Sequence, residues 1–256
     1  MSEIRGLLID LGGVVYQGDS VLPGAREAIR SLRAAGMPYR FLTNTTSQPL
    51  AAIEEKLAAF DIPVDDGTVF TPALAARLWL RERNLSPEFL IAPALRADFG
   101  ALDGGGGRAL VVGDAREGFT YSALNTAFRH LADGAEFLAL ASNRCFMDAD
   151  GAPSLDMGAF VAALEYASGS QAVVLGKPAE GFFHMACADM GLDPSQIAMI
   201  GDDAEFDALA ARKAGLKGFV VRTGKWSPEA LDGLSDSPDA EFEDLPDAIR
   251  HLLGGT

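Results

Sequence analysis

Short apolar runs alternate with stretches of helical spacing at both ends of this chain. Gly6-Leu7-Leu8-Ile9 is a continuous apolar run of strand length, the pattern of a strand buried on both faces. Pro23-Gly24 then opens a stretch with apolar residues at Ala25, Ile29 and Leu32, closed by Gly36, which predicts a helix. Tyr39–Leu42 reads as a second strand. Ser47 stands where a cap belongs, ahead of a helix with Leu50, Ile53, Leu57 and Phe60 on one face. Past residue 170 the same grammar returns. Strands are predicted at Gln171–Leu175, Ile197–Ile200 and Phe219–Val221. Helices fall at Ala179–Met190 and Glu205–Ala214, stopped by Gly191 and Gly215. Strands alternating with helices imply right-handed crossovers and a parallel sheet.

The middle of the chain repeats the alternation with its own set. Strands are predicted at Phe89–Ile91, Ala109–Val112 and Phe137–Leu140, and helices at Leu74–Arg83, Tyr121–Leu131 and Gly158–Ala167. The pattern predicts an α/β protein: a Rossmann-like parallel-sheet core over residues 1–72 and 173–256, with a second α/β unit over residues 73–172 inserted into it. Gly104-Gly105-Gly106-Gly107 lacks the Lys-Ser/Thr of a phosphate-binding loop and is expected to be a plain flexible loop.

The residues with chemistry to offer stand at the ends of the apolar runs. Leu7-Leu8-Ile9 ends in Asp10, and Tyr39–Leu42 ends in Thr43-Asn44. Val173-Val174-Leu175 ends in Gly176-Lys177, and Ala198-Met199-Ile200 ends in Gly201-Asp202-Asp203. In an open parallel sheet the C-terminal strand ends face one crevice, so these groups are expected to converge. Taken singly, each has an ordinary structural use: an Asp as a turn former, Thr43 as a helix cap, Lys177 as a surface cation, Asp207 as a surface acid. Together they supply what phosphoryl transfer needs. Asp10 and Asp202 suit a hard divalent ion, Lys177 neutralises phosphate oxygens, and Thr43 and Asn44 donate to the transferring group.

Charge and composition narrow the partners. Lys and Arg number 21 against 36 Asp and Glu, a net −15 without a basic cluster, which argues against nucleic acid. No apolar run approaches the ~20 residues of a membrane span. The first ten residues, MSEIRGLLID, meet an acid too soon for a signal peptide, so a cytoplasmic location is expected. Cys145 and Cys187 are too few for a disulfide framework or a zinc site. None of His130, His184 and His251 has a motif around it.

At these residues the sequence resembles the haloacid dehalogenase (HAD) superfamily. Asp10-Leu11-Gly12-Gly13-Val14-Val15 looks like its first motif and Phe41-Leu42-Thr43-Asn44 like its second. Lys177-Pro178 looks like the third, and Gly201-Asp202-Asp203 with Asp207 like the fourth. The large insertion is similar to the C2-type α/β cap of subclass IIA. Thr-Asn-Thr-Thr at 43–46, Gly-Lys-Pro at 176–178 and Thr-Gly-Lys at 223–225 are similar to the branch containing phospholysine phosphohistidine inorganic pyrophosphate phosphatase and the HAD-like hydrolase domain-containing group.

The resemblance implies a phosphatase acting on small phosphorylated compounds through an aspartyl phosphate on Asp10. It implies Mg²⁺ held by Asp10, the carbonyl of Gly12 and Asp202, with Asp203 or Asp207 supporting from behind. Thr43 and Lys177 would hold the phosphoryl oxygens. It further implies a cap loop at Ser142–Phe146 whose Asn143 and Arg144 meet the substrate, and caps of this type often form homodimers. The departure is Gly12, where strongly active members carry an Asp that protonates the leaving group. Its loss predicts a preference for activated leaving groups such as pyrophosphate, phosphoramidates, acyl or aryl phosphates. An acid from the cap could substitute, with Asp148, Asp150 and Asp156 as candidates. Two other readings compete: a receiver-type phospho-acceptor, which the large insertion disfavours, and a weakly active or inactive protein that binds phosphate compounds or a partner.

Overall fold

The computed structural model describes residues 3–102, 104–147, 151–231 and 236–254. The chain divides into two compact units, residues 1–43, 53–70 and 177–256 in the first, and 44–52 and 71–176 in the second.

The first unit is built on a six-stranded sheet. Its order is Ala240–Phe242, Lys217–Val221, Ile197–Gly201, Gly6–Asp10, Tyr39–Leu42, Val69–Phe70, and every pairing is parallel. The first strand made thus lies in the middle. Leu7, Leu8 and Ile9 are wholly buried, as expected of a strand covered on both faces. The strand order reverses beside it, with the Tyr39 strand on one side and the Ile197 strand on the other, so the crevice of an open α/β sheet falls at Asp10. Helices Ala25–Ala34, Leu50–Ala59, Glu180–Met190 and Leu245–Leu252 accompany the strands. A hairpin, Tyr16–Gln17 with Ser20–Val21, follows the first strand.

The second unit has its own four-stranded parallel sheet, ordered Val173–Val174, Glu136–Ala139, Arg108–Val112, Ser86–Leu90. Its helices are Pro72–Glu82, Tyr121–Ala132 and Met157–Ser168. Thr71 caps the first of these by accepting from the Leu74 N–H at 3.1 Å, with Pro72 in the first turn. Thr120 caps the second, accepting from Ala123.

Three sequence expectations are corrected. Val173–Val174 pairs with Glu136–Ala139, so the run before Lys177 is a strand of the second unit's sheet and not of the core. Ser47 does not start the Leu50 helix: the carboxylate of Asp98, distant in sequence, accepts from the Leu50 N–H at 2.9 and 3.2 Å. The four-glycine run is pinned: Ser86 Oγ donates to the Gly104 carbonyl at 2.6 Å, and Gly106 N–H donates to that of Asn84 at 2.8 Å. A Cβ on Gly104 would lie 2.3 Å from the Leu85 backbone, so close packing, not looseness, calls for glycine there.

Candidate active site

Register assembles the site. Asp10 pairs with Leu42, so Thr43 emerges beside it on one flank. On the other flank Ile9 pairs with Ile200, which brings Gly201 and Asp202 alongside. Thr43 is buried, and its N–H donates to the Phe70 carbonyl at 3.3 Å.

Lys177 links two of the acids. Its Nζ lies 2.7 Å from Asp10 Oδ1 and 2.6 Å from Asp207 Oδ1, and all three side chains are buried. Burial alone would push the Lys177 ammonium down, but Asp10 and Asp207 overcome it and hold the lysine above its ordinary value. Burial pushes Asp10 up, and Lys177 draws it back only in part. Asp202 is also raised by burial, against the donation it receives from the Lys225 N–H. Asp207 is raised to about 6, again by burial first.

The local backbone is shaped for Asp207. The sequence predicts a plain helix over 205–214, whereas Ala204–Leu209 is a widened π-type turn with an Ala208 N–H to Asp203 O bond. Asp203 caps it, its Oδ1 accepting from Phe206 N–H at 3.0 Å. A Cβ on Gly201 would lie 2.2 Å from Asp207 Oδ2, so only glycine leaves room for this carboxylate. Insertions of this kind concentrate at functional sites.

Oxygens of Asp10, Asp202 and Asp207 lie within 4.8 Å of one another. Three carboxylates facing one ammonium leave two negative charges uncompensated in a buried site, at a cost that a divalent cation removes. An all-oxygen donor set fits Mg²⁺. The residues therefore fit the expected metal, with Asp207 beside Asp10 and Asp202 in the cluster, where the family resemblance implies a supporting group. Asp203 is occupied as a helix cap.

The remaining expected residues have their own local surroundings. Asn44 belongs to the second unit, where a Cβ on Gly176 would lie 2.9 Å from its Oδ1. Asn143 is half-buried with its Oδ1 unpartnered among the described residues, while Arg144 is exposed. Asp156 caps the Met157 helix through a 2.7 Å bond to the Met157 N–H. Asp148 and Asp150 lie outside the described residues. At Gly12 a Cβ would meet nothing within 4 Å.

One segment carried no assigned role in the sequence. Thr223 Oγ1 donates to the Gly13 carbonyl at 2.5 Å, and Lys225 N–H to Asp202 Oδ2 at 2.8 Å. The Thr-Gly-Lys triplet is visible in the sequence, but nothing in its spacing places it against Gly13 and Asp202.

The chain also matches known proteins. Residues 7–118 match the model of the haloacid dehalogenase-like hydrolase family, and residues 174–248 match a HAD-hydrolase-like model. Haloacid dehalogenase-like hydrolase domain-containing protein 2 of Bos taurus is 36% identical over 98% of this chain and 96% of its own. The chain belongs to the haloacid dehalogenase-like hydrolase family. Phospholysine phosphohistidine inorganic pyrophosphate phosphatase of Danio rerio, a further relative, is 35% identical over 99% of this chain and 96% of its own. Among solved structures, p-nitrophenyl phosphatase from Archaeoglobus fulgidus superposes with TM-score 0.88 at 25% identity, covering 97% of this chain and 99% of that one. The HAD fold, a parallel-sheet core with an inserted α/β cap, is thus found in sequence and structure alike.

Proposed function

We propose that the chain is a Mg²⁺-dependent phosphatase of small phosphorylated compounds that works through an aspartyl phosphate on Asp10. The observation that carries the reading is the buried cluster in which Lys177 bridges Asp10 and Asp207 beside Asp202. Relatives and structural neighbours named as phosphatases support it. Asp10 attacks phosphorus and the bond to the leaving oxygen breaks, leaving its electron pair on that oxygen. Water then attacks the phosphorus, the bond to Asp10 breaks with its electron pair returning to the carboxylate, and the water's proton passes to the released phosphate or to solvent. Lys177 holds Asp10 in place and faces the phosphoryl oxygens, with Thr43 from the neighbouring strand. Bound to Asp10, Asp202 and Asp207, Mg²⁺ would supply charge neutralisation for the phosphoryl group. Gly12 has no side chain to protonate the leaving group, which favours pyrophosphate, phosphoramidates and aryl or acyl phosphates over sugar phosphates.

The test is hydrolysis of 4-nitrophenyl phosphate and pyrophosphate with Mg²⁺ or with EDTA, for the wild type and Asp10→Asn. Turnover that needs Mg²⁺ and disappears in the variant is expected; turnover indifferent to either change would overturn the reading. The open space at Gly12 favours a second reading, a weakly active phosphate-binding protein. It predicts Mg²⁺-dependent phosphate binding with negligible turnover of all these substrates.

A further inference from the structure

The two lysines beside Asp10 are held in opposite ways. Lys177 is buried and bridges two carboxylates, whereas the Lys225 side chain is 75% exposed. Yet the Lys225 backbone is fixed to the site, because its N–H donates to Asp202 Oδ2. Thr223, two residues earlier, is tied to the Gly13 carbonyl. Between them Gly224 lies against Gly13: a Cβ on Gly224 would be 2.6 Å from Gly13 Cα and 2.0 Å from Asp202 Oδ2. Both glycines have positive φ. On the far side Trp226 packs on Ala204, Ala208 and Val220. Residues 223–226 therefore form a strap tied at both ends, which delivers the Cα of Lys225 to the rim of the acidic cluster.

The ammonium itself is only loosely engaged. Its described partner is Asp203 Oδ2 at 3.6 Å, a long pair screened by solvent on the lysine side. A protein with net charge −15 repels a polyanion as a whole, so a cation at this rim is well placed to offset that locally. The missing side chain at Gly12 gives such a cation a task. A leaving group that receives no proton departs with its negative charge, and that charge needs a partner.

We propose that Lys225 is a specificity-determining residue that binds the leaving-group anion, selecting substrates with a second phosphate on the leaving side. The proposal rests on the phosphatase reading above. When Asp10 bonds to one phosphorus of pyrophosphate, the bridging P–O bond breaks and its electron pair stays on the departing phosphate, which pairs with the Lys225 ammonium. No proton transfer is required.

The test uses the full chain with Lys225→Met, which keeps the backbone N–H and the stem, and Lys225→Arg, which keeps the charge. The ratio of kcat/KM for pyrophosphate to that for 4-nitrophenyl phosphate is expected to fall at least ~10-fold in Lys225→Met and to recover to within ~3-fold in Lys225→Arg. Binding is measured separately by calorimetry with Mg²⁺ in an Asp10→Asn background. There imidodiphosphate is expected to bind ~10-fold more weakly with Met at 225, and orthophosphate to change by less than ~3-fold. An unchanged ratio, or equal losses for both substrates and both ligands, overturns the proposal and leaves Lys225 only its backbone role. If no substrate is turned over the phosphatase reading fails, and the calorimetric comparison still decides the role of Lys225.

Discussion

Two residues at the site can be tested for opposite reasons. A Cβ at Gly12 meets nothing within 4 Å and the residue has no positive φ, so Gly12→Asp is accommodated without strain. If leaving-group protonation is what limits sugar phosphates, this variant raises their kcat/KM by ~10–100-fold, part of the usual range for general acid help, and changes pyrophosphate less. A substrate panel at fixed pH measures it. Asp207 is tested through pH. Its folded value, about 6, lies above its ordinary 3.8, so between these limits the folded state binds more protons than the unfolded one. Stability from this group is therefore present at low pH and lost as pH rises toward 6, the reverse of an ordinary paired carboxylate. In EDTA, the melting temperature of the wild type relative to Asp207→Asn is expected to decline over that window. A flat difference would show that Asp207 is not held against ionisation.

At the scale of elements, the backbone permits some side chains and forbids others. A Cβ on Gly218 would lie 2.0 Å from the Ala208 carbonyl, inside the widened turn that carries Asp207. Gly218→Ala is expected to destabilise by about 1–3 kcal/mol through overpacking. Thr71→Ala, which removes one helix cap, is expected to cost about 1 kcal/mol. Denaturant titrations compare them. The strands Gly6–Asp10 and Ile197–Gly201 are legible because continuous apolar runs of four or five residues have few other uses, and Tyr39–Leu42 because three of its four residues are apolar between turn signals. Val69–Phe70 and Ala240–Phe242 are not, being two and three residues long and defined by their sheet neighbours. Likewise Asp10, Lys177 and Asp202 stand out at the ends of apolar runs. The reach of Asp207 depends on a turn type with no sequence signature, and the Thr223–Lys225 strap depends on contacts with Gly13 and Asp202.

For the whole molecule, the two tryptophans report separately, Trp226 in the first unit and Trp79 in the second. Mg²⁺ binding at the acidic cluster stabilises by RT ln(1 + [L]/Kd). In variants with only one of the two tryptophans, Mg²⁺ is expected to raise the unfolding midpoint seen by Trp226 more than that seen by Trp79, and Asp202→Asn to abolish the effect. The sheet order bears on how such a chain is made. Gly6–Asp10 leaves the ribosome before the other strands of its sheet and is paired with Tyr39–Leu42 soon after, but its other neighbour begins at Ile197. At about 5–20 residues per second, one hydrogen-bonding edge of this mostly apolar strand waits roughly 10–40 seconds for its partner. Throughout that interval the nascent chain presents an open sheet edge, the kind on which chains aggregate. Stalled or truncated synthesis before the Ile197 strand thus leaves a product without Asp202 and Asp207 and with its central strand exposed, a natural client for chaperones.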